Sequence, residues 1–309
     1  MSPPDVLTIS AARDTAALEV LEVEANPGES TFPGEILTCR APDDGMVRLF
    51  RKRSAGAGHD CHGHRAGVAY EAAVYERLLA PIGMSTPAFY GAGVDGDGSW
   101  LLIEHLEGAE RLDRTVSADG AVVRAAAWIG RFHAAAERLP AATRATLRRY
   151  DAEYYAGWSR RTLEYVEDGE RRFPWLGELC TRFERDCAPA LAHGRLTASH
   201  GELYPRNVLV RGERIHPIDW ESAALAPGAI DLVALIDGWD DVHDQALEAY
   251  VDERFGGRAP DGFERDCDAA RLYLGFRWLG DRPYWTNLES SEYEFRALCA
   301  TARRMELLP

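Results

Sequence analysis

The sequence predicts an α+β fold with two lobes, the first small and rich in β-strands and the second larger and mainly helical. An apolar period of two is concentrated in the first 104 residues, and a period near 3.6 recurs in the rest. The chain has 309 residues, 46% of them hydrophobic, and chains of this length usually form about two domains. We therefore expect a small N-terminal lobe over residues 1–104 and a larger second lobe over residues 105–309.

In the N-terminal lobe, three segments predict strands, because alternate positions are apolar and turn-forming residues separate them. They are AALEVLEVEA (16–25), EILTCRA (35–41) and MVRLFRKR (46–53). The segment GVAYEAAVYERLLAP (67–81) then predicts a helix whose apolar stripe includes Glu71. The segment SWLLIEHLEG (99–108) predicts a buried strand followed by a short polar loop, so we place the junction between the lobes near residue 105.

The second lobe is predicted to be helical, because several segments repeat apolar residues at helical spacing. They are AVVRAAAWIGRFHAAAERLP (121–140), EYYAGWSRRTLEYVED (153–168), LGELCTRFERDCAPALAHG (176–194), CDAARLYLGFRWLG (267–280) and EYEFRALCATARRMELL (292–308). The stretch SHGELYPRNVLVRGERIHPIDWE (199–221) differs from them. There, NVLV and RIHPIDW predict two strands joined by a turn at RGE.

Charge and cysteine content argue against several classes of protein. The net charge of −15 does not suit nucleic-acid binding, which needs a basic surface. The six cysteines form no C-x-x-C pair, so we expect reduced thiols and a cytoplasmic location. No signal peptide is recognisable at the N-terminus, and no apolar run approaches the roughly 20 residues of a membrane span. We expect neither a nucleic-acid nor a membrane partner.

Lys52 is the only lysine among 35 basic residues, so the other 34 are arginines. Codon bias explains the arginines but not the exception. Lysine carries a compact charge on a thin stem, whereas arginine is a wide planar fork. A narrow phosphate-binding site is one place where the two cannot be exchanged. The pattern therefore makes Lys52 a candidate for binding phosphate.

The hairpin between NVLV and RIHPIDW brings polar side chains together. Folding it about residues 212 and 213 predicts that Asn207 and Asp219 face each other. An amide oxygen and a carboxylate oxygen are hard ligands of the kind that hold Mg²⁺ in phosphoryl-transfer sites. Glu202 precedes Asn207 by five residues and can take a proton from an attacking hydroxyl.

The motifs HGELYPRN and IDWE resemble the catalytic loop and metal-binding segment of the aminoglycoside phosphotransferase and choline kinase-like family, the small-molecule relatives of protein kinases. The usual loop of that family reads His-Gly-Asp, four residues and Asn. The resemblance implies a bilobal protein-kinase-like fold with ATP and Mg²⁺ between the lobes, GTP being an alternative to ATP. It also implies an enzyme that transfers the γ-phosphoryl group to an alcohol group of an acceptor.

The resemblance implies roles for several residues of this chain. Lys52 would hold the phosphates with Glu71 as its helix partner, Asn207 and Asp219 would bind the metal, and Asp231 would brace the catalytic loop through His200. The adenine-binding hinge would comprise Glu104, His105 and Leu106.

Glu202 departs from the family pattern, because it stands where the catalytic aspartate is expected. The extra methylene leaves two interpretations open: a working base that serves a slightly more distant acceptor, or a nucleotide-binding pseudokinase or scaffold. The acceptor is open too. A cationic antibiotic, an aminosugar or an amino alcohol would suit an enzyme of antibiotic resistance or biosynthesis, and a peptide Ser or Thr is an alternative.

Three further segments carry weaker signals. In NPGESTFPGE, the candidates for phosphate contact are Gly28, Ser30 and Thr31, although this is not a Gly-x-Gly-x-x-Gly loop. The loop with His59, Asp60, Cys61, His62 and His64 suggests zinc, but a simple loop is favoured. The acidic residues of LIDGWDDVHD are either a candidate acceptor site for a cation or a solvated helix start: Asp237, Asp240 and Asp241.

Overall fold

The computed structural model describes residues 6–11, 14–26, 32–54, 62–96 and 98–309. The chain divides into two compact units. The first unit consists of Met1–Val116 and Arg206–Ser222, and the second consists of Ser117–Pro205 and Ala223–Pro309. Residues 206–222, which carry the predicted hairpin, thus belong to the same unit as the N-terminal strands.

The strands, numbered in chain order, are β1 (Val6–Ala11), β2 (Asp14–Ala25), β3 (Gly34–Arg40), β4 (Met46–Arg53), β5 (Phe89–Asp95), β6 (Gly98–Glu104), β7 (Glu110–Arg111), β8 (Arg148–Arg149), β9 (Leu196–Ser199), β10 (Val208–Arg211), β11 (Arg214–Pro217) and β12 (Ala224–Pro227).

The helices are α1 (Val68–Val74), α2 (Ala80–Ile82), α3 (Ala118–Glu137), α4 (Ala141–Arg144), α5 (Ala152–Tyr165), α6 (Gly169–Arg172), α7 (Leu176–Arg182), α8 (Ala188–His193), α9 (Ala229–Ile236), α10 (His243–Phe255), α11 (Phe263–Asp281) and α12 (Ser291–Arg304). Single π-helical turns join α1 to α2 at Tyr75–Leu79 and α7 to α8 at Phe183–Cys187.

The main sheet of the first unit has the strand order β1-β2-β3-β4-β6-β5, and each described neighbour pair is antiparallel. One leucine from each of β2, β3, β4 and β6 packs with Cys39 in a buried apolar core. Lys52 lies near the end of β4, opposite Gly34 of β3 and Leu101 of β6. The sheet thereby fixes the backbone from which the single lysine extends.

Helix α1 presents the apolar stripe that the sequence predicts. Glu71 is 2% exposed, and Val74, Tyr75 and Leu78 on the same face are equally buried. The helical run is continuous from Val68 through the π-helical turn to Ile82 and ends at Gly83, whose left-handed φ of 69° suits a residue without a Cβ. A carboxylate inside an apolar stripe needs a partner, which identifies Glu71 as part of a site.

The β10–β11 hairpin turns at residues 212 and 213, as the sequence predicts. Its register differs from the prediction by one residue, because Asn207 pairs with Ile218, whose N–H donates to the Asn207 carbonyl at 2.9 Å. The expectation that Asn207 and Asp219 face each other was therefore wrong. Asp219 lies one residue farther along and has a left-handed φ of 67°, so the strand alternation no longer sets the direction of its side chain.

The second unit is mainly helical, as the sequence predicts, and contains a small sheet in the order β8-β12-β9. Asp151 is the N-cap of α5, since its carboxylate accepts the Tyr154 N–H at 2.8 Å. Trp158 of α5, Phe183 of the π-helical turn and Phe276 of α11 are fully buried in the helical core. Among the described residues, no helix is both long and apolar enough to cross a membrane.

Candidate active site

Lys52 is the centre of a buried charge cluster in the first unit. Its ammonium donates to Glu71 Oε2 at 2.7 Å and to Asp219 Oδ1 at 2.5 Å, and Glu221 Oε2 lies 3.8 Å away. The Lys52 side chain is 6% exposed and that of Glu221 is 1% exposed, but the Asp219 side chain is 36% exposed. One compact cation is thus held by two buried carboxylates, while the third carboxylate is open to a ligand.

The charges of this cluster shift the pKa of each member. Burial alone would lower the pKa of Lys52, but Glu71, Asp219 and Glu221 outweigh it and raise the pKa above its usual range. Burial raises the pKa of Glu71, and the neighbouring Lys52 only partly opposes that effect. Burial and the charge of Asp219 raise the pKa of Glu221 to about 8. Lys52 therefore remains charged at neutral pH, whereas Glu221 is largely protonated.

Backbone contacts fix the carboxylates around the lysine. Glu71 Oε1 accepts the Trp220 N–H at 3.0 Å, which ties α1 to the segment after β11. The carbonyl of Glu221 accepts the Ala66 N–H at 3.1 Å, and Arg65 Nε lies 3.6 Å from Glu221 Oε1. The structure thus brings together Lys52, Glu71 and Asp219, which were predicted from sequence, and adds Glu221. The IDWE motif contains Glu221, but its strand-like pattern gave no sign that the side chain would be buried.

In the second unit, Asp231 accepts two consecutive backbone N–H groups, from His200 at 2.7 Å and from Gly201 at 2.8 Å. Its Oδ2 is also 3.1 Å from His133 Nε2. The loop contact expected through His200 is thus made by the His200 backbone, and the imidazole bound to Asp231 belongs to His133. Sequence reasoning missed His133, because it lies on a helix about 98 residues away from Asp231.

Further contacts set the protonation state of His133. The ionised Asp231 carboxylate can only accept, so the Nε2–H of His133 donates to it. In the neutral imidazole Nδ1 is then an acceptor, and the Tyr250 hydroxyl, which accepts from Arg254, donates to it at 2.9 Å. Burial lowers the pKa of His133 despite the carboxylate of Asp231, and the imidazole stays neutral. Burial alone would raise the pKa of Asp231, but the hydrogen bond from His133 helps to bring it below its ordinary value.

Glu202 is 4% exposed and lies beside a second buried cation. Its Oε1 is 3.5 Å from Arg277 Nη2, and its N–H donates to His200 Nδ1 at 3.3 Å. Arg277 also donates to the Gly201 carbonyl at 2.8 Å and to the Tyr204 hydroxyl at 2.6 Å. The sequence identified Glu202 but not Arg277, since nothing in the helical pattern of α11 distinguishes one arginine from the others.

Comparison with known proteins agrees with this geometry. Residues 59–273, well over half of the chain, match the model of the phosphotransferase enzyme family known as APH. The chain belongs to this family. No curated protein sequence matches it.

The phosphotransferase also shares its fold with solved structures of low sequence identity. A choline/ethanolamine kinase family protein from Mesorhizobium loti has a TM-score of 0.61 at 18% identity, covering 93% of this chain and 90% of that one. The macrolide 2'-phosphotransferase MphH from Brachybacterium faecium has a TM-score of 0.56 at 23% identity, with 91% and 94% covered. A GDP complex of aminoglycoside 2'-phosphotransferase-IIIa has a TM-score of 0.61 at 14% identity, with 93% and 94% covered. The predicted family and its protein-kinase-like α+β fold are confirmed.

Other predicted site residues of the phosphotransferase make contacts of their own. Glu104 accepts from Arg211 at 3.1 Å and from the Ala88 N–H at 3.3 Å. His105 and Leu106 follow it in a tight turn, in which both carbonyls accept backbone N–H groups. Adenine binding by this segment stays a prediction. Gly28, Ser30 and Thr31 lie outside the described residues.

The acidic segment of the phosphotransferase is only partly open to a ligand. Asp237 forms a two-pronged ion pair with Arg271, with its oxygens 3.1 Å from Nε and Nη2. Asp240 and Asp241 are exposed. The Asp237 side chain is still 41% exposed, so a cationic acceptor would compete with Arg271 for it, whereas the other two carboxylates carry no such ion pair among the described contacts.

The predicted metal ligands fit magnesium by their chemistry. Asn207 offers an amide oxygen, and Asp219 offers a carboxylate that is partly exposed although it contacts Lys52. Both are hard donors of the type that Mg²⁺ prefers, together with water and phosphate oxygens. Across the described part of the chain, no three His, Cys, Asp or Glu side chains form a metal-binding group. Of the zinc candidates, His59, Asp60 and Cys61 lie outside that part, whereas His62 and His64 lie within it.

Proposed function

We propose that this phosphotransferase moves the γ-phosphoryl group of ATP to a hydroxyl group of a small molecule in a Mg²⁺-dependent reaction. The observation that carries the proposal is the Lys52 cluster. A permanently charged, narrow ammonium is held by buried Glu71 while its other carboxylate contact, Asp219, is partly exposed. GTP is an alternative donor, since one of the fold neighbours is a GDP complex.

Lys52 binds the nucleotide phosphates, and Glu71 keeps it in place. When phosphate oxygens arrive, the ammonium exchanges its bond to Asp219 for bonds to phosphate, while the 2.7 Å bond to Glu71 persists. Asp219 is then free to bind the metal together with Asn207. The exchange costs little, because Asp219 is the most exposed carboxylate of the cluster.

Mg²⁺, when bound, neutralises charge on the phosphates. Glu202 orients the acceptor hydroxyl and takes its proton. The hydroxyl oxygen forms a bond to the γ-phosphorus, the bond from that phosphorus to the bridging oxygen breaks, and ADP leaves with the electron pair. Most of the rate enhancement comes from positioning and charge neutralisation.

The proposed acceptor is a cationic small molecule, such as an aminosugar, a macrolide-type antibiotic or an amino alcohol. The net charge of −15 favours cations, and exposed Asp240 and Asp241 are candidates for contact.

The five cysteines that the structure describes are free thiols, which supports a reducing compartment such as the cytoplasm.

An acceptor screen tests the proposal. The protein is incubated with ATP, Mg²⁺ and a panel of aminoglycosides, macrolides, choline, ethanolamine and Ser- or Thr-containing peptides, and products are identified by mass spectrometry. We expect one small-molecule class to gain a phosphoryl group with the wild type but not with Asp219→Ala. Phosphorylation of peptides alone, or of no acceptor while ATP binds, would contradict the proposal.

A nucleotide-binding pseudokinase is the second candidate, because Glu202 replaces the expected aspartate and lies against a buried arginine. Glu202→Asp separates the two functions. An enzyme adapted to glutamate loses activity in this variant, whereas a pseudokinase gains phosphoryl transfer or remains inactive.

A further inference from the structure

Two buried side chains hold the Gly201 peptide from opposite ends. Asp231 Oδ1 accepts the Gly201 N–H at 2.8 Å, and Arg277 Nη1 donates to the Gly201 carbonyl at 2.8 Å. Gly201 has a left-handed φ of 82°, a backbone conformation that glycine adopts without steric cost. The residue before Glu202 is therefore fixed in position, and Glu202 starts from a rigid backbone.

The same arginine reaches the Glu202 side chain. Arg277 Nη2 donates to the Tyr204 hydroxyl at 2.6 Å and lies 3.5 Å from Glu202 Oε1. The guanidinium thus spans residues 201, 202 and 204 of the loop. Because its remaining bonds hold it in place, Arg277 is a fixed charge toward which the Glu202 carboxylate is drawn.

We infer that Arg277 is a positioning residue that adapts a glutamate to the place of the usual aspartate, by drawing the longer side chain back and keeping it ionised. The inference rests on the proposed function of Glu202 as the base. A glutamate has one more rotatable bond than an aspartate, and a free side chain would spread its carboxylate over several positions. An anchored guanidinium selects one of them, and catalytic rates are sensitive to displacements of about 1 Å.

The surroundings of Arg277 favour a fixed pair of charges. Burial alone would lower the pKa of Arg277, but Tyr204, Tyr273, Glu202 and Tyr154 outweigh it and raise the pKa well above the usual range. Tyr273 and Tyr204 also present their rings at 5.6 and 5.8 Å from the guanidinium. His200, which accepts the Glu202 N–H, is a further titratable group at this loop. Arg277 therefore stays charged at any pH at which the enzyme is assayed.

The test uses four single variants, Arg277→Met, Arg277→Lys, Glu202→Gln and Glu202→Asp. Two double variants combine Arg277→Met with Glu202→Gln and with Glu202→Asp. The matched control is Arg161→Met. Arg161 also donates to a backbone carbonyl, that of Gly280 on α11 at 2.9 Å, and lies over aromatic rings, but none of its described contacts is with the loop. Turnover is measured as release of phosphate from ATP with water as the acceptor, so no acceptor need be known.

We expect Arg277→Met to move the acid limb of the pH–rate profile upward by about one to three pH units, since it removes an opposite charge next to the base. We also expect kcat to fall about tenfold or more at an unchanged KM for ATP. In the Glu202→Asp background, the same change has a smaller effect, because the shorter side chain does not reach the guanidinium. Arg277→Lys restores the position of the limb in part, and Arg161→Met leaves the limb in place.

Thermal unfolding gives a readout that does not need activity. At about pH 8 we expect Arg277→Met to lower the unfolding midpoint and Glu202→Gln to restore part of the loss in the double variant, because the unpaired carboxylate is then gone. Additive effects of the two changes, or an unmoved acid limb in Arg277→Met and Arg277→Lys, would overturn the inference. Coupled midpoints in a wild type that transfers phosphate from ATP neither to water nor to any acceptor of the screen would instead refute the proposed function and, with it, the positioning role.

Discussion

Replacing Lys52 by methionine removes the cation at the centre of the Glu71, Asp219 and Glu221 cluster. Breaking a buried ion pair on one side costs about 3–5 kcal/mol. Asp219, with 36% of its side chain exposed, can turn to solvent, and Glu221, whose pKa is raised to about 8, is largely neutral below that pH. The cost therefore falls on Glu71, and we expect a loss of about 3 kcal/mol near pH 8.

The loss depends on pH with a defined sign. Burial raises the pKa of Glu71 and Lys52 opposes it, so the methionine variant raises that pKa further. A raised carboxyl pKa means that the folded state binds more protons than the unfolded state, and its stability falls as pH rises. Each pH unit in this window is worth up to about 1.4 kcal/mol. We expect the loss to be about 1–2 kcal/mol smaller near pH 6 than near pH 8.

Urea unfolding followed by circular dichroism, in EDTA and at both pH values, measures the effect. The matched control is Arg51→Met, one residue earlier on β4. Arg51 pairs with Glu35 at 2.6 Å, but their side chains are 18% and 31% exposed, so that change should cost less than about 1 kcal/mol. If Lys52→Met is no more destabilising than Arg51→Met, or if its cost is independent of pH, the cluster does not have the buried electrostatics assigned to it.

Three further outcomes follow from the pKa shifts and hydrogen bonds. In metal-free wild type, the raised pKa of Glu221 makes stability fall as pH rises from about 4.5 to 8, and Glu221→Gln should remove about 2 kcal/mol of that fall in urea titrations. The lowered pKa of His133 makes stability fall as pH drops below about 6.5. His133→Gln should therefore flatten the pH dependence of the unfolding midpoint between about pH 6.5 and 5. An equal slope in both proteins would show that His133 does not titrate there. Asp231→Asn leaves only one oxygen for the two backbone N–H groups of His200 and Gly201, and we expect about 1–3 kcal/mol less stability and slower ATP turnover. Unchanged turnover would show that the loop keeps its conformation without these hydrogen bonds.

The sequence predicted those parts of the site that depend on local periodicity. Glu71 lies on the buried face of a helix because its spacing from Val74, Tyr75 and Leu78 is helical. Alternation along β4 places Lys52 on the face of Phe50, opposite that of Leu49, and its contacts with Glu71 and Asp219 are made there. Glu221, His133 and Arg277 could not be found in this way. Each is defined by a contact with a residue far away in the chain, which no local pattern records.

Two features of the sheet and hairpin were missed for physical reasons. Strand β5 contains Gly91 and Gly93 and has a register shift between Phe89 and Gly91, so the apolar alternation is weak. The pairing of Asn207 was misjudged by one residue, because the two-residue turn at Gly212 and Glu213 pairs Arg211 with Arg214, and this register brings Ile218 rather than Asp219 opposite Asn207.

Thermal unfolding with ATP and Mg²⁺, for wild type and Lys52→Met side by side, tests nucleotide binding by the cluster most directly. A ligand at about one hundred times its dissociation constant stabilises the folded state by about 2.7 kcal/mol. At about 2–4 °C per kcal/mol, we expect the wild-type midpoint to rise by about 5–10 °C. The rise should require Mg²⁺ and be much smaller in the variant. An unchanged wild-type midpoint with both ATP and GTP, or an equal rise in the two proteins, would contradict the assignment of Lys52 and Asp219 to the nucleotide site.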